Sequence, residues 1–260
     1  MKSRTLSGGI ILLVIFGSLF INYQLFSIVM GGCCLIGYRE LFNIKYSDNS
    51  NIDTIKYIGY IFLLMICLDG IFFKVNNNIK VIIPMLFLTI PIVFYNNGKK
   101  YNINDSLYIM GIIYFLGFAF NNIILLSKLD IFKCIYIFLI AFVTDTYAYI
   151  GGMLIGKHKL TEISPKKTIE GSIVGSFVGC GIGSLFYYVT IGGINVIAII
   201  VISLVLTFIS QIGDLVFSSI KRYFNKKDYS NFIPGHGGIL DRFDSVIFVS
   251  LCYMVFFSIL

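Results

Sequence analysis

Residues Ser218 to Ser245 read SSIKRYFNKKDYSNFIPGHGGILDRFDS, and hydrophobic runs flank them on both sides. The stretch carries Lys221, Arg222, Lys226, Lys227, Asp228, His236, Asp241, Arg242 and Asp244, and a Pro-Gly-His-Gly-Gly turn at Pro234 to Gly238 breaks it in the middle. Such polar density between two apolar runs is costly unless it serves a site. Cations and glycine backbone amides suit phosphate groups. Carboxylates suit a hard cation such as Mg²⁺. Cation, phosphate and metal chemistry together point to phosphoryl or nucleotidyl transfer.

The surroundings of this stretch are those of a membrane protein. The 260 residues are 57% hydrophobic and only 13% charged, with a mean hydropathy of +0.89. That excludes a soluble domain of ordinary composition. The hydrophobic periodicity predicts an all-α polytopic fold with about nine spans, near 7–21, 23–43, 57–74, 80–96, 106–126, 132–155, 171–190, 194–218 and 243–260. Lys2 and Arg4 precede an apolar run without a clear small-residue cleavage site, so the first span is expected to be retained. With the N-terminus in the cytoplasm, 16 of the 20 Lys and Arg residues fall on the inside and 4 outside. This bias places the signature loop in the cytoplasm and the C-terminus outside. It also accounts for the net charge of +7, so no nucleic-acid partner is expected. Six cysteines all lie in apolar runs and read as small buried residues.

One integral membrane domain, 1–260, is expected. Its helices over 1–130 provide lipid access or packing. Its catalytic half, 131–260, carries two basic cytoplasmic loops, 156–170 and 221–240. Asp214, Ser218 and Lys221 are spaced to share one helix face. Asp214 then reads either as a metal ligand or as a salt-bridge partner of Lys221 or Arg222. Asp241 and Asp244 project to the same side, and either a metal or a helix N-terminus accounts for a carboxylate there. Asp145 sits inside the sixth span, where a cationic or metal partner is expected. Lys166 and Lys167 suit triphosphate charge, or simply the inside of a membrane. His236 reads as a general base, a phosphate donor or a structural residue. Gly171, Gly175, Gly179 and Gly183, four apart, form a stripe for close helix packing, within the chain or at a dimer.

The signature resembles that of the phosphatidate cytidylyltransferase, or CDP-diacylglycerol synthase, family. The resembling positions are Ser218, Lys221, Arg222, Lys227, Asp228, Pro234 to Gly238, Asp241, Arg242 and Asp244. The run Thr144-Asp-Thr-Tyr-Ala-Tyr, the run Gly156-Lys-His-Lys-Leu and the run Ser164-Pro-Lys-Lys-Thr-Ile-Glu-Gly are similar too. The resemblance covers about the last 120 residues with specific motifs; before them only Arg39-Glu40 matches. It implies that CTP and phosphatidic acid give CDP-diacylglycerol and pyrophosphate in phospholipid biosynthesis, at an active site on the cytoplasmic side of the cell membrane. It implies a divalent cation, commonly Mg²⁺, held here by Asp214, Asp241 and Asp244. A second, monovalent cation and a homodimer are compatible with it. Catalytic roles are implied for Asp214, Asp241, Lys221, Arg222 and His236. Substrate contacts are implied for Asp145, Lys166, Lys167, Thr168, Glu170, Ser218, Lys227, Asp228, Gly237, Gly238 and Arg242.

Two rivals make different demands. A CTP-dependent polyprenol kinase would use a lipid alcohol and need a base. A secondary transporter would carry ions on Asp145 and Asp214, and usually shows broken helices in both halves. Here the polar motifs cluster in one half and on one face, which favours the enzyme.

Overall fold

A computed structural model describes residues 2–46, 53–95, 101–230, 232 and 237–259. Among these residues the chain is helical, with isolated β-bridges and no strand. Ten helices follow in order: α1 Lys2–Ile21, α2 Tyr23–Tyr46, α3 Asp53–Cys67, α4 Asn77–Thr89, α5 Pro91–Tyr95, α6 Ile103–Leu129, α7 Ile131–Ile155, α8 Ile169–Thr190, α9 Val196–Tyr223 and α10 Leu240–Ile259. Among the described residues, six segments are long and apolar enough to cross a membrane: α2, the joined α4 and α5, α6, α7, α8 and α9.

The differences from the expected spans have local causes. The third span, expected over 57–74, ends at Cys67. Gly70 there adopts φ +77 and its N–H donates to Phe73 O at 2.8 Å, closing a tight turn. Asp69 fixes that turn, accepting from Val75 N–H at 2.8 Å and from the Lys80 ammonium. The fourth span is split by Pro91, which supplies no N–H to continue α4 and opens α5 instead. α9 runs on to Tyr223, so Lys221 and Arg222 belong to a helix end rather than to the loop expected to start at 221.

The chain forms two compact units. The first comprises Met1–Leu125 with Tyr229–Leu240, and the second Leu126–Asp228 with Asp241–Leu260. In the second unit the glycine stripe of α8 lies against α7. A methyl group on Gly171 would stand 2.5 Å from Ala148 O, and one on Gly175 2.6 Å from Thr144 O. The stripe therefore serves packing within the chain, since only hydrogen at Cα permits this approach. The six cysteines are free thiols, five of them buried.

Candidate active site

The second unit builds a cleft of about 280 Å³ from α7, α8, α9 and the loop between α7 and α8. Asp145, Tyr149, Ser164, Lys166, Lys167, Thr168, Ser172, Gln211 and Asp214 line it. Five of the residues expected at a site from sequence thus meet in one place: Asp145, Lys166, Lys167, Thr168 and Asp214.

The loop is held by its own backbone. Lys159 and Thr168 form an antiparallel bridge, and Leu160 N–H donates to Lys167 O at 2.8 Å. Thr168 caps α8, its Oγ1 accepting from Gly171 N–H at 3.1 Å. Glu170, in the first turn of α8, accepts from Lys157 N–H at 3.0 Å and His158 N–H at 3.2 Å, and meets His158 Nδ1 at 2.6 Å. The carboxylate of Glu170, expected at the substrate site, fastens the start of the loop. The result presents Lys166 and Lys167 to the cleft.

Carboxylates stand opposite these cations. Lys167 forms an ion pair with Asp214. Ser218 Oγ, one turn further along α9, donates to Asp214 Oδ1 at 3.3 Å. Asp145 accepts from Ser245 Oγ of α10 at 2.9 Å. Asp145, Asp214 and Asp244 lie close enough for their charges to act on one another. Asp241, expected beside Asp214, is paired with Lys221 at 2.6 Å instead. Lys221 also acts on Asp244, so it is common to the surroundings of both acids of the i, i+3 pair. Among the described residues no three His, Cys, Asp or Glu side chains are gathered into a ready metal cage. Oxygen donors from two carboxylates on a cleft wall do fit a hard cation completed by a ligand's phosphates and water.

Other expected residues lie outside the cleft. Arg222, exposed, donates Nη1–H to Lys226 O at 3.0 Å. Lys227, Asp228 and Arg242 are exposed as well. His236 lies outside the described residues, as do Pro234 and Gly235. Gly237, with φ +80, and Gly238 belong to the first unit.

Sequence reasoning did not single out Gln211 or Ser172. Ser172 Oγ donates to Gln211 Oε1 at 2.5 Å, and Gln211 Nε2 donates to Ser176 Oγ at 2.7 Å, tying α8 to α9 beneath the cleft. A glutamine within an apolar run is the signal that could have found this tie. Glu40 of α2 was noticed only as part of a weak match. It is 3% exposed, and its carboxylate accepts from Ser230 Oγ, Ile239 N–H and Leu240 N–H.

Comparison with known proteins agrees with the sequence motifs. The pattern of the cytidylyltransferase family matches residues 2–260. A phosphatidate cytidylyltransferase of Staphylococcus aureus (strain COL) is 33% identical over 251 residues, covering 96% of both chains. One of Staphylococcus haemolyticus is 31% identical over 250 residues, again with 96% of each chain. One of Bacillus subtilis (strain 168) is 32% identical over 259 residues, spanning 96% of this chain and 94% of the relative.

Proposed function

The chain belongs to the cytidylyltransferase family, and from that premise we infer that it transfers CMP from CTP to phosphatidic acid, giving CDP-diacylglycerol and pyrophosphate for phospholipid biosynthesis. It is an integral membrane nucleotidyltransferase. The observation that carries the reading to a site is the cleft in which Lys166 and Lys167 face Asp145 and Asp214. Cations there suit a triphosphate, and carboxylates suit the divalent ion that accompanies one.

In the proposed mechanism the lipid phosphate oxygen attacks the α-phosphorus of CTP in line. The bond to the bridging oxygen breaks, and pyrophosphate leaves with the electron pair. The attacking group is already anionic, so no base is required. Lys166 and Lys167 hold the triphosphate and offset its repulsion of the incoming phosphate. Lys167 would exchange Asp214 for a phosphate oxygen when CTP binds. Asp214, with Asp145 and Asp244, would hold Mg²⁺, which supplies charge neutralisation when bound. Asp241 acts through Lys221, which it holds in place at the end of α9. Positioning and charge account for the rate, without a covalent enzyme intermediate.

Nine spans, an N-terminus inside and a cytoplasmic site are the proposed topology. The 16 to 4 distribution of basic residues supports it. It brings the cleft to the side where CTP is found, with the inner leaflet of the cell membrane as lipid source. Purified protein supplied with labelled CTP tests the function. Pyrophosphate release that requires phosphatidic acid is the expected result. Release of CDP with a polyprenol would favour a lipid kinase, and ion flux without turnover would favour a transporter.

A further inference from the structure

We propose that Glu40 is a positioning residue for the reaction, holding the second limb of the glycine turn, Gly238–Leu240, in its working conformation; the proposal rests on the cytidylyltransferase reading. One Glu40 oxygen accepts from Ser230 Oγ at 2.6 Å and Ile239 N–H at 2.9 Å, and the other from Leu240 N–H at 2.9 Å. A single buried carboxylate thus ties Ser230, Ile239 and Leu240 to one point on α2. Charge-assisted bonds of this kind are about twice as strong as neutral ones.

Two glycines make the geometry specific. A methyl group on Gly238 would run into the Glu40 carboxylate itself. A methyl group on Gly37, one turn earlier on α2, would stand 2.9 Å from Leu240 Cδ2. The face of α2 formed by Gly37 and Glu40 is therefore shaped to receive Gly238 to Leu240. A general packing contact needs neither a buried charge nor bare Cα atoms on both partners. Leu240 directly precedes Asp241 in the chain, so the limb that Glu40 holds leads straight into the acidic start of α10.

Glu40→Gln preserves shape but turns an amide NH₂ toward a hydroxyl or N–H donor. The expected result is a fall in kcat of at least about tenfold, with KM for CTP within about twofold and a retained melting temperature. Amide hydrogen exchange, read by mass spectrometry, is expected to lose protection at 239–240 and nowhere else. Glu40→Asp, one methylene short, should fall between. In a double-mutant cycle, Gly238→Ala is expected to lower kcat about tenfold in the native chain and less than about twofold beside Glu40→Ala, because both act on one contact. Native kcat in Glu40→Gln, unchanged exchange at 239–240, or additive effects in the cycle would each overturn the proposal. So would a kcat loss that merely follows a globally lowered melting temperature and is equalled by destabilising substitutions elsewhere in α2. If the native protein fails to use CTP, the functional reading fails instead, and the exchange data still judge whether Glu40 holds the turn.

Discussion

The Lys221 ammonium and the Asp241 carboxylate stand 2.6 Å apart, with side chains only 11% and 7% exposed. They come from the end of α9 and the start of α10, and the pair closes the polar stretch between them. Removing one partner from such a pair leaves an uncompensated buried charge, at a cost of about 3–5 kcal/mol. Lys221→Met and Asp241→Asn are each expected to lower the melting temperature and abolish turnover. The double variant Lys221→Met, Asp241→Leu is expected to recover stability while remaining inactive. Thermal unfolding beside a CTP turnover assay checks both parts, and a stable, active double variant would show the pair to be structural only.

Asp145 and Asp244 are expected to share the divalent ion with Asp214. Asp145→Asn and Asp244→Asn should each raise the Mg²⁺ concentration for half-maximal rate at least tenfold, about 1.4 kcal/mol. A Mg²⁺ titration with unshifted midpoints would remove these two residues from the metal.

Lys167 pairs with Asp214 on the cleft wall and is half-buried there. Lys167→Met is expected to reduce kcat/KM for CTP by about a hundredfold, or ~2.7 kcal/mol of transition-state stabilisation. Lys74→Met, at an exposed position in the first unit, is the comparison and should leave kcat/KM as it is. Equal effects of the two would indicate a general charge effect.

The glycine stripe gives a prediction on stability alone. Gly175→Leu would drive a side chain into α7 at Thr144 O and Ala148 Cβ. The expected penalty is about 1–3 kcal/mol or more, seen as a lower melting temperature. A methyl group on Gly181, an exposed position, would meet nothing within 4 Å, and Gly181→Leu should be tolerated.

Topology is open to labelling. In a chain freed of its six native cysteines, Lys227→Cys is expected to react with an impermeant maleimide only after the cells are opened. Lys74→Cys should react in intact cells. The reverse pattern would invert the proposed orientation.

The second half of the chain was legible because its informative residues violate their surroundings. Asp145 and Asp214 are carboxylates in apolar runs, and Lys166, Lys167 and Thr168 follow one another at a loop end. Helices α7, α8 and α9 were legible because their apolar runs are long enough to cross a membrane. What escaped depends on distant partners. Asp241 was read with Asp244 by spacing, and its ion pair with Lys221, twenty positions away, was not foreseen. Glu40 stands beside Arg39 at an ordinary helix end, and its three donors are 190 to 200 positions downstream. α3 was read too long because a turn centred on Gly70 remains apolar in Leu68, Ile71, Phe72 and Phe73.

That separation between Glu40 and Ser230 also sets an order of events during synthesis. At about 5–20 residues per second, the 190 residues between them take roughly 10–40 s to emerge. α2 therefore meets the bilayer long before the donors of its carboxylate exist. In that interval Glu40 has to keep water, a proton or a temporary partner. A ribosome stalled before residue 230 would leave a nascent chain whose Glu40 lacks every one of the donors named above.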